Sequence, residues 1–445
     1  MGLSLCKNAV FIKSNGDYYL RSMKVFKFGG ASVKDAAGVR NVANILTSYK
    51  EEKILVVVSA MGKTTNMLEK VAEAFYHKNA EITEQIKPIR EYHLTIMNEL
   101  FNDKNNAVFD TVNNVFAELE WATDGEPTKS YDFEYDQIVS IGEVIATRIV
   151  SAFLNETGLK NQWLDARDYI STDDTWRNAA INWEATEKNV QQKLVPLFAE
   201  KIKLAFTQGF IGVTPENYTT TLGREGSDFT AAIFAHTLPA SDVTIWKDVP
   251  GVLNADPKWF DDTVLLDKIS YRDAIELAWF GTSVIHPKTI QPLQNKNIPL
   301  YVKSFIEPDK TGTIVSNTEN PQQIPSFIYR MNQVLISIMS KDFSFIVEKN
   351  LMEIFKTFSE AGIKINIMQN TAISFSVSVD DDHYKIPALI ALLQKDFKVV
   401  YNSGLELITV RNYNQETIER VTVNTEILLE LRSRKTIQLL VKNLD

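Results

Sequence analysis

Between Lys24 and about Asn317, short apolar runs alternate with longer stretches patterned at helical spacing, and no other feature of the chain limits its fold as much. Strands that are separated by helices must be joined by crossovers, which predicts an α/β domain with a largely parallel central sheet. The expected strands are KVFKF, KILVVVS, QWLDA, KLAFTQGFIG, DVTIW and PLYVKS. Between the second and third of these, the helical stretch 65–157 is broken by DGEPTKS at 124–130, whose Gly and Pro mark a loop. After the sixth, TENPQQIP at 318–325 reads as a polar linker. A different architecture follows: VLISIMS, NLMEIFKTFSEAG, KINIMQ, AISFSVSV, YKIPALIALLQKD and FKVVYN give the order βαββαβ of a ferredoxin-like α+β unit. The tail, with LELITVRNY, QETIERV, ILLELRS and IQLLVKN, reads as a second such unit abbreviated at its end. The expected organisation is therefore an extension over 1–22, an α/β domain over 23–317, a linker over 318–330, and α+β units over 331–404 and 405–445.

Composition narrows the partners. A chain of 445 residues exceeds one ordinary core and points to two or three domains. Its net charge of −9 argues against nucleic acid and anionic membrane, both of which are bound through concentrated Lys and Arg. The longest apolar runs, such as ILVVV at 54–58, are far short of the roughly 20 residues that cross a bilayer. Small molecules are the expected partners. The single cysteine, Cys6, leaves no disulfide framework or cysteine-rich metal site, which fits a reducing, cytoplasmic setting. Residues 1–22 lack the apolar core and cleavage site of a secretory signal, and Met23 stands directly before the first strand, so the extension is expected to be dispensable.

Five stretches carry candidate chemistry. In VFKFGGASV, residues 25–33, Lys27 leaves a strand end beside Gly29 and Gly30. Backbone N–H groups freed by glycine, with an ammonium nearby, suit a phosphate, although a solvated lysine at a strand-to-helix turn has the same appearance. In VVVSAMGKTTN, residues 56–66, the GKT ending is not a P-loop, because its first glycine would fall at Val57. What remains is a glycine-containing loop leading to Thr64 and Thr65, which are either helix caps or ligand hydroxyls. In TTTLGREGSDFTAA, residues 219–232, Arg224 sits between Gly223 and Gly226, and Ser227-Asp228 opens a helix with an expected N-cap. A guanidinium fork at a positively polarised helix start suits a carboxylate or phosphate. In IVSIGEVIATRI, Glu143 lies on an otherwise apolar helix face, so it meets either a cationic ligand or a structural partner. In VTIWKDVPG, Lys247 and Asp248 end a strand where open α/β sheets place ligands. His286, in FGTSVIHPKT, is left out of the catalytic set.

In their order, KFGGAS, SAMGKTTN, SIGE, TTTLGREGSD, WKDVPG, NADP and HPKT resemble aspartate kinase, an amino-acid-kinase-fold enzyme with C-terminal ACT domains, from Met23 to the chain end. The resemblance implies a three-layer α/β kinase domain, followed by ACT units of ferredoxin-like form. It implies ATP-dependent phosphorylation of L-aspartate to 4-phospho-L-aspartate, the first step toward lysine, threonine and methionine. It places Lys27, Gly29 and Gly30 at the nucleotide phosphates, and Thr65, Glu143, Arg224 and Ser227 at aspartate, with Glu143 on the α-ammonium and Arg224 on the α-carboxylate. Asp228 orders the catalytic centre beside Lys27; Lys247, Asp248 and Lys258 border the nucleotide. Mg²⁺ is expected to be held mainly through ATP, because no carboxylate cluster stands out. A homodimer through the ACT region is implied as well.

This chain departs from the family pattern at several positions. Lys247 replaces a threonine, Leu253 a tyrosine, Lys258 an arginine and Ser283 a lysine, so that Lys247 or Lys288 would have to supply the missing charge. In the first ACT unit, Asn366 and Ala372 stand where lysine-inhibited relatives carry an aspartate and a glutamate. Two alternatives stay open: another amino-acid-fold kinase, and a catalytically weak amino-acid-sensing ACT protein.

Overall fold

The computed structural model describes residues 11–14, 17–20, 22–78, 81–281, 284–318, 323–342 and 344–444. Cys6, Ser283, most of the 1–22 extension and part of the linker lie outside them. The chain forms two compact units, one comprising 1–252, 267–275 and 284–321, the other 253–266, 276–283 and 322–445.

The first unit holds an antiparallel hairpin, β1 (Phe11–Ser14) and β2 (Asp17–Leu20), and then an eight-stranded sheet. Its strands are β3 (Met23–Phe28), β4 (Lys53–Val58), β5 (Gln162–Trp163), β6 (Leu204–Gln208), β9 (Ala240–Lys247), β10 (Lys268–Ser270), β11 (Leu300–Ser304) and β12 (Thr313–Ser316). A small hairpin, β7 (Ile211–Val213) and β8 (Thr219–Thr221), stands apart from the sheet. The order is β10-β12-β11-β9-β3-β4-β6-β5, and every pairing is parallel except β11 with β12. The largely parallel sheet expected from the alternation is therefore present. The short strands β8, β10 and β12 carried too little apolar pattern to be read.

Helix α1 (Ala36–Thr47) lies between β3 and β4, and the helical stretch after β4 resolves into α2 (Thr64–His77), α3 (Ile82–Leu100), α4 (Ala107–Ala122), α5 (Tyr131–Val139) and α6 (Ile141–Glu156). The Gly-Pro segment lies between α4 and α5, as the breaker residues require. Alternation along the strands divides the core. Phe26, Phe28, Ile54, Val56, Val58 and Trp246 join one cluster with α1 to α6. The opposite parity, Val25, Leu55, Val57 and Ile245, is equally buried, and the helix Gly226–Thr237 packs on β3, β4 and β9. Strands buried on both faces read as continuous apolar runs rather than alternating ones. The stretch Tyr131–Glu156 is apolar enough for a membrane span by composition, but 78% of its most apolar window is buried inside the protein.

The second unit is one six-stranded antiparallel sheet, β14-β15-β13-β16-β18-β17. Its first half follows the expected βαββαβ order: β13 (Ser326–Ser340), helix Glu348–Glu360, β14 (Ile365–Asn370), β15 (Ser374–Asp380), helix Lys385–Leu393 and β16 (Phe397–Arg411). The tail adds helix Gln415–Val421, β17 (Thr425–Arg432) and β18 (Thr436–Asn443). It is not detached, because β13 and β16 each run through both halves, Ser326–Arg330 pairing with Leu407–Arg411. Strand β13 thus begins inside the segment read as linker, and Phe327 and Ile328 are buried there. Pro321 and Pro325 masked that strand start in the sequence.

Candidate active site

The strand order reverses at β3, whose neighbours are β4 on one side and β9, more than two hundred residues later in the chain (240 against 23), on the other. Parallel sheets open a crevice outside the carboxyl ends of their strands at such a switch point. Lys27 is next to last in β3 and Lys247 is last in β9, so both ammonium groups arrive at that crevice. Lys27 has the parity of Val25, which directs it to the side of the sheet where helix Gly226–Thr237 packs. Asp228, in the first turn of that helix, meets both lysines: its Oδ1 is 2.6 Å from Lys27 Nζ and its Oδ2 is 3.2 Å from Lys247 Nζ. Burial alone would push this carboxyl up, but the two ammonium groups outweigh it and hold its pKa below the ordinary range. The expected N-cap role of Ser227-Asp228 is not observed: the helix begins at Gly226, so Glu225 occupies the cap position without a side-chain bond and Ser227 and Asp228 lie inside the first turn.

A cavity of about 450 Å³ opens here, lined by Lys27, Thr65, Glu143, Arg224, Ser227, Asp228 and Lys247 among others. Seven residues that the sequence scattered over two hundred positions thus share one space. Thr64 does not cap α2; its hydroxyl donates to the Met61 carbonyl at 2.6 Å, and Thr65 faces the cavity. Glu143 is 3% exposed. Burial drives its pKa up to about 8 against the pull of Lys27 and of the Ala60 N–H, and its Oε2 has no hydrogen-bond partner. Among the described residues Glu143 makes no ion pair within salt-bridge distance, the structural alternative for it, which leaves a carboxyl with unused accepting capacity inside a ligand-sized space.

Gly29, Gly30, Asp248 and Lys258 do not line the cavity. A Cβ at Gly29 would lie 3.3 Å from Lys27 Nζ, and one at Gly30 would lie 2.6 Å from the Ala60 carbonyl oxygen, so Gly30 permits the close passage of two loops. Lys258 belongs to the second unit. Of the two lysines offered as replacement charge, Lys247 is in the cavity, whereas Lys288 donates to the Asn178 side-chain oxygen. His286 accepts from Lys288 N at 3.2 Å as a helix cap, a structural role.

The sequence reading missed Glu69, Tyr135, Arg177, Phe210 and Glu225, which also line the cavity. Tyr135 donates to Glu69 Oε1 at 2.7 Å, and the Arg177 guanidinium lies 4.3 Å from the Tyr135 ring centre. Arg177, Phe210 and Glu225 all have left-handed backbones, at φ 63°, 71° and 54°. Such strain in non-glycine residues concentrates at functional sites, but no local residue pattern announces it. Behind the cavity, fully buried Asp136 accepts from Thr221 Oγ1 at 2.6 Å, Thr221 N at 2.9 Å and Arg177 N at 3.0 Å, tying α5 to the turn that carries Arg224. Asp136→Ala strands these donors and is expected to cost about 2–4 kcal/mol, given 1–3 kcal/mol per unsatisfied buried group. A denaturation midpoint equal to that of the parent protein would contradict this accounting.

The fold and a cavity that gathers two lysines, an arginine and a buried carboxyl at the carboxyl ends of the strands fit a small-molecule kinase. The amino acid kinase family profile matches residues 22–304, and the chain belongs to that family. Within it the chain belongs with the aspartokinases. It is 32% identical over 357 residues to lysine-sensitive aspartokinase 3 of Escherichia coli K12, covering 80% of this chain and 78% of that protein. It is 32% identical over 368 residues to the chloroplastic aspartokinase 2 of Arabidopsis thaliana, covering 80% of this chain but only 66% of that protein's length. The crystal structure of E. coli aspartokinase III with aspartate and ADP superposes with a TM-score of 0.80 at 28% identity, over 94% of this chain and 96% of that one.

Proposed function

We propose that this chain phosphorylates L-aspartate with ATP to give 4-phospho-L-aspartate. The observation that carries the reading is the joint lining of one cavity by a buried carboxyl with one oxygen unpaired, Glu143, a guanidinium, Arg224, and the Lys27–Asp228–Lys247 cluster. These are the complements of an α-ammonium, an α-carboxylate and a phosphoryl group. Aspartate's side chain is ionised near neutrality, with a reference pKa of about 3.9, so attack needs no general base. The protein's task is to bring two anions together in line and to neutralise the charge spread over the transferring group. Lys27 and Lys247 do so; Asp228 fixes both without itself touching the reacting atoms. Thr65 and Ser227 supply hydroxyls to aspartate, while Gly29, Gly30 and Asp248 border the nucleotide. Mg²⁺, carried in with ATP, adds charge neutralisation at the phosphates. Incubation with ATP, Mg²⁺ and L-aspartate, followed by ADP release and by hydroxylamine trapping of the acyl phosphate, tests this directly. ADP formation with another amino acid but not aspartate would favour a different amino-acid-fold kinase. No aspartate-dependent ADP would favour the sensor reading.

The second unit reads as a pair of ACT-type halves, and we take the enzyme as a cytoplasmic homodimer associating through it. Strand β14 is a sheet edge with Met368 51% exposed, and helix Glu348–Glu360 exposes Met352 at 69% and Phe355 at 41%. Unpaired edges and apolar side chains of this kind are covered by association. Light scattering at micromolar concentration is expected to give twice the chain mass of 50.5 kDa, and a monomer would remove this proposal.

Lysine alone is expected to inhibit weakly or not at all. Asn366 offers an amide where lysine-inhibited relatives have a carboxylate, and the amide is already used: it accepts from Arg330 at 3.1 Å and donates to Gln333 at 2.9 Å and Asp380 at 2.8 Å. A lysine ammonium leaving water requires a carboxylate partner. Initial rates at subsaturating aspartate with about 1 mM lysine, at the upper end of ordinary metabolite-scale constants, measure the effect. Strong inhibition would mean that another carboxylate serves.

A further inference from the structure

On the first unit, residues of α4, α6 and β5 border a second, open cavity, of about 500 Å³, that shares no lining residue with the active site. Arg148 and Trp163 form its wall. The Arg148 guanidinium carbon lies 3.2 Å from the centre of the Trp163 ring, and the indole is locked in place: its Nε1 donates to Thr147 Oγ1 at 3.0 Å, which also accepts from Gln208 at 3.0 Å. The guanidinium has no such satisfaction. Its Nε is buried without a hydrogen-bond partner, and none of its N–H groups has a protein acceptor or a carboxylate within salt-bridge distance among the described residues.

The surrounding groups do not compensate it. Glu156, the carboxylate on the cavity wall, accepts from Asn106 Nδ2 at 2.9 Å, and Ser151 and Asn155 are spent on Asn161. Burial, the largest effect, and repulsion by Arg167 lower the pKa of the guanidinium against the weaker, distant attraction of Asp165 and Glu118. The first turn of the 16-residue helix α4 also lines this space through Ala107 and Val108, but its N–H groups are not available to a ligand there: Val108 N donates to the Asn106 side-chain oxygen at 3.0 Å and Phe109 N to the Asn106 carbonyl at 3.0 Å, so the guanidinium is the cavity's donor. A planar guanidinium with free N–H groups, held rigid against an aromatic ring, is prearranged for bidentate capture of an oxyanion.

We propose that this cavity is an anion-binding site, distinct from the active site, which receives the carboxylate or phosphate of a small metabolite on Arg148. A purely structural stack would account for the ring contact but leaves the guanidinium fork facing an open cavity without an acceptor. The test follows the Trp163 indole N–H resonance of the ¹⁵N-labelled full chain, identified by its loss in Trp163→Phe, while inorganic phosphate or succinate replaces chloride at constant ionic strength. A saturable shift with a Kd of about 1–10 mM is expected for at least one anion, and whichever anion acts identifies the headgroup. Arg148→Met keeps the apolar stem over the ring and is expected to weaken that anion at least tenfold while leaving aspartate kinase turnover unchanged. Arg148→Lys, which keeps charge but loses the fork, serves if the methionine variant fails to fold, with weakening of several-fold expected. A linear shift without saturation, or an equal Kd in the variant that folds, would overturn the site.

Discussion

Lys27→Met is expected to lower kcat by about 10²–10³ while moving the KM for aspartate far less. The ammonium lies at the carboxyl end of β3, 2.6 Å from Asp228. In the proposed reaction it would act on charge that develops as the phosphoryl group transfers, and loss of one preorganised donor to such charge costs about 2.7–4 kcal/mol. Methionine preserves the stem that packs in the strand, so the loss is electrical rather than structural. Lys247 then faces Asp228 alone and cannot take over, because it enters from the neighbouring strand β9. Steady-state rates with aspartate and ATP varied independently separate the two constants, and a folded variant with near-normal kcat would remove Lys27 from the phosphoryl site.

The second large effect concerns Glu143, and here function and stability pull in opposite directions. Removing one member of a buried charge pair costs about 3–5 kcal/mol, so Glu143→Gln should raise the aspartate KM by about 10² or more. In the ligand-free protein the same substitution should stabilise. The unfolded chain ionises this carboxyl above about pH 4.5, whereas the folded protein keeps it protonated up to about 8, so its contribution to stability declines as pH rises across that window. Glutamine has no such term. Its Tm advantage over the parent should therefore grow between pH 5 and 8, and a constant difference would show that Glu143 titrates normally. Aspartate binding at pH 7 should release a proton as Glu143 ionises against the ammonium, which calorimetry in buffers of different ionisation enthalpy detects.

How far the sequence reached can be followed residue by residue. The runs KVFKF, KILVVVS, KLAFTQGFIG and DVTIW announced their strands because both faces of a parallel sheet are buried, and continuous apolarity is local information. Lys27, Thr65, Glu143, Arg224, Ser227, Asp228 and Lys247 could be nominated for a comparable reason: glycine beside charge, at the ends of patterned segments, is visible in a window of ten residues. By itself, then, the sequence determined the alternation that makes a parallel sheet and the ordered motifs of its family. Only the tertiary structure decided which charges meet. Nothing local pairs Asp228 with two lysines, because the contact arises from the order β4-β3-β9, which places strands far apart in the chain side by side. Nor could it show that one Glu143 oxygen lacks a partner, that Glu225 and Phe210 are held in left-handed conformations, or that Arg148 lies stacked on Trp163 with its Nε unpaired. Electrostatic partnership and backbone strain depend on distance and burial, which the chain acquires only when its crossovers close.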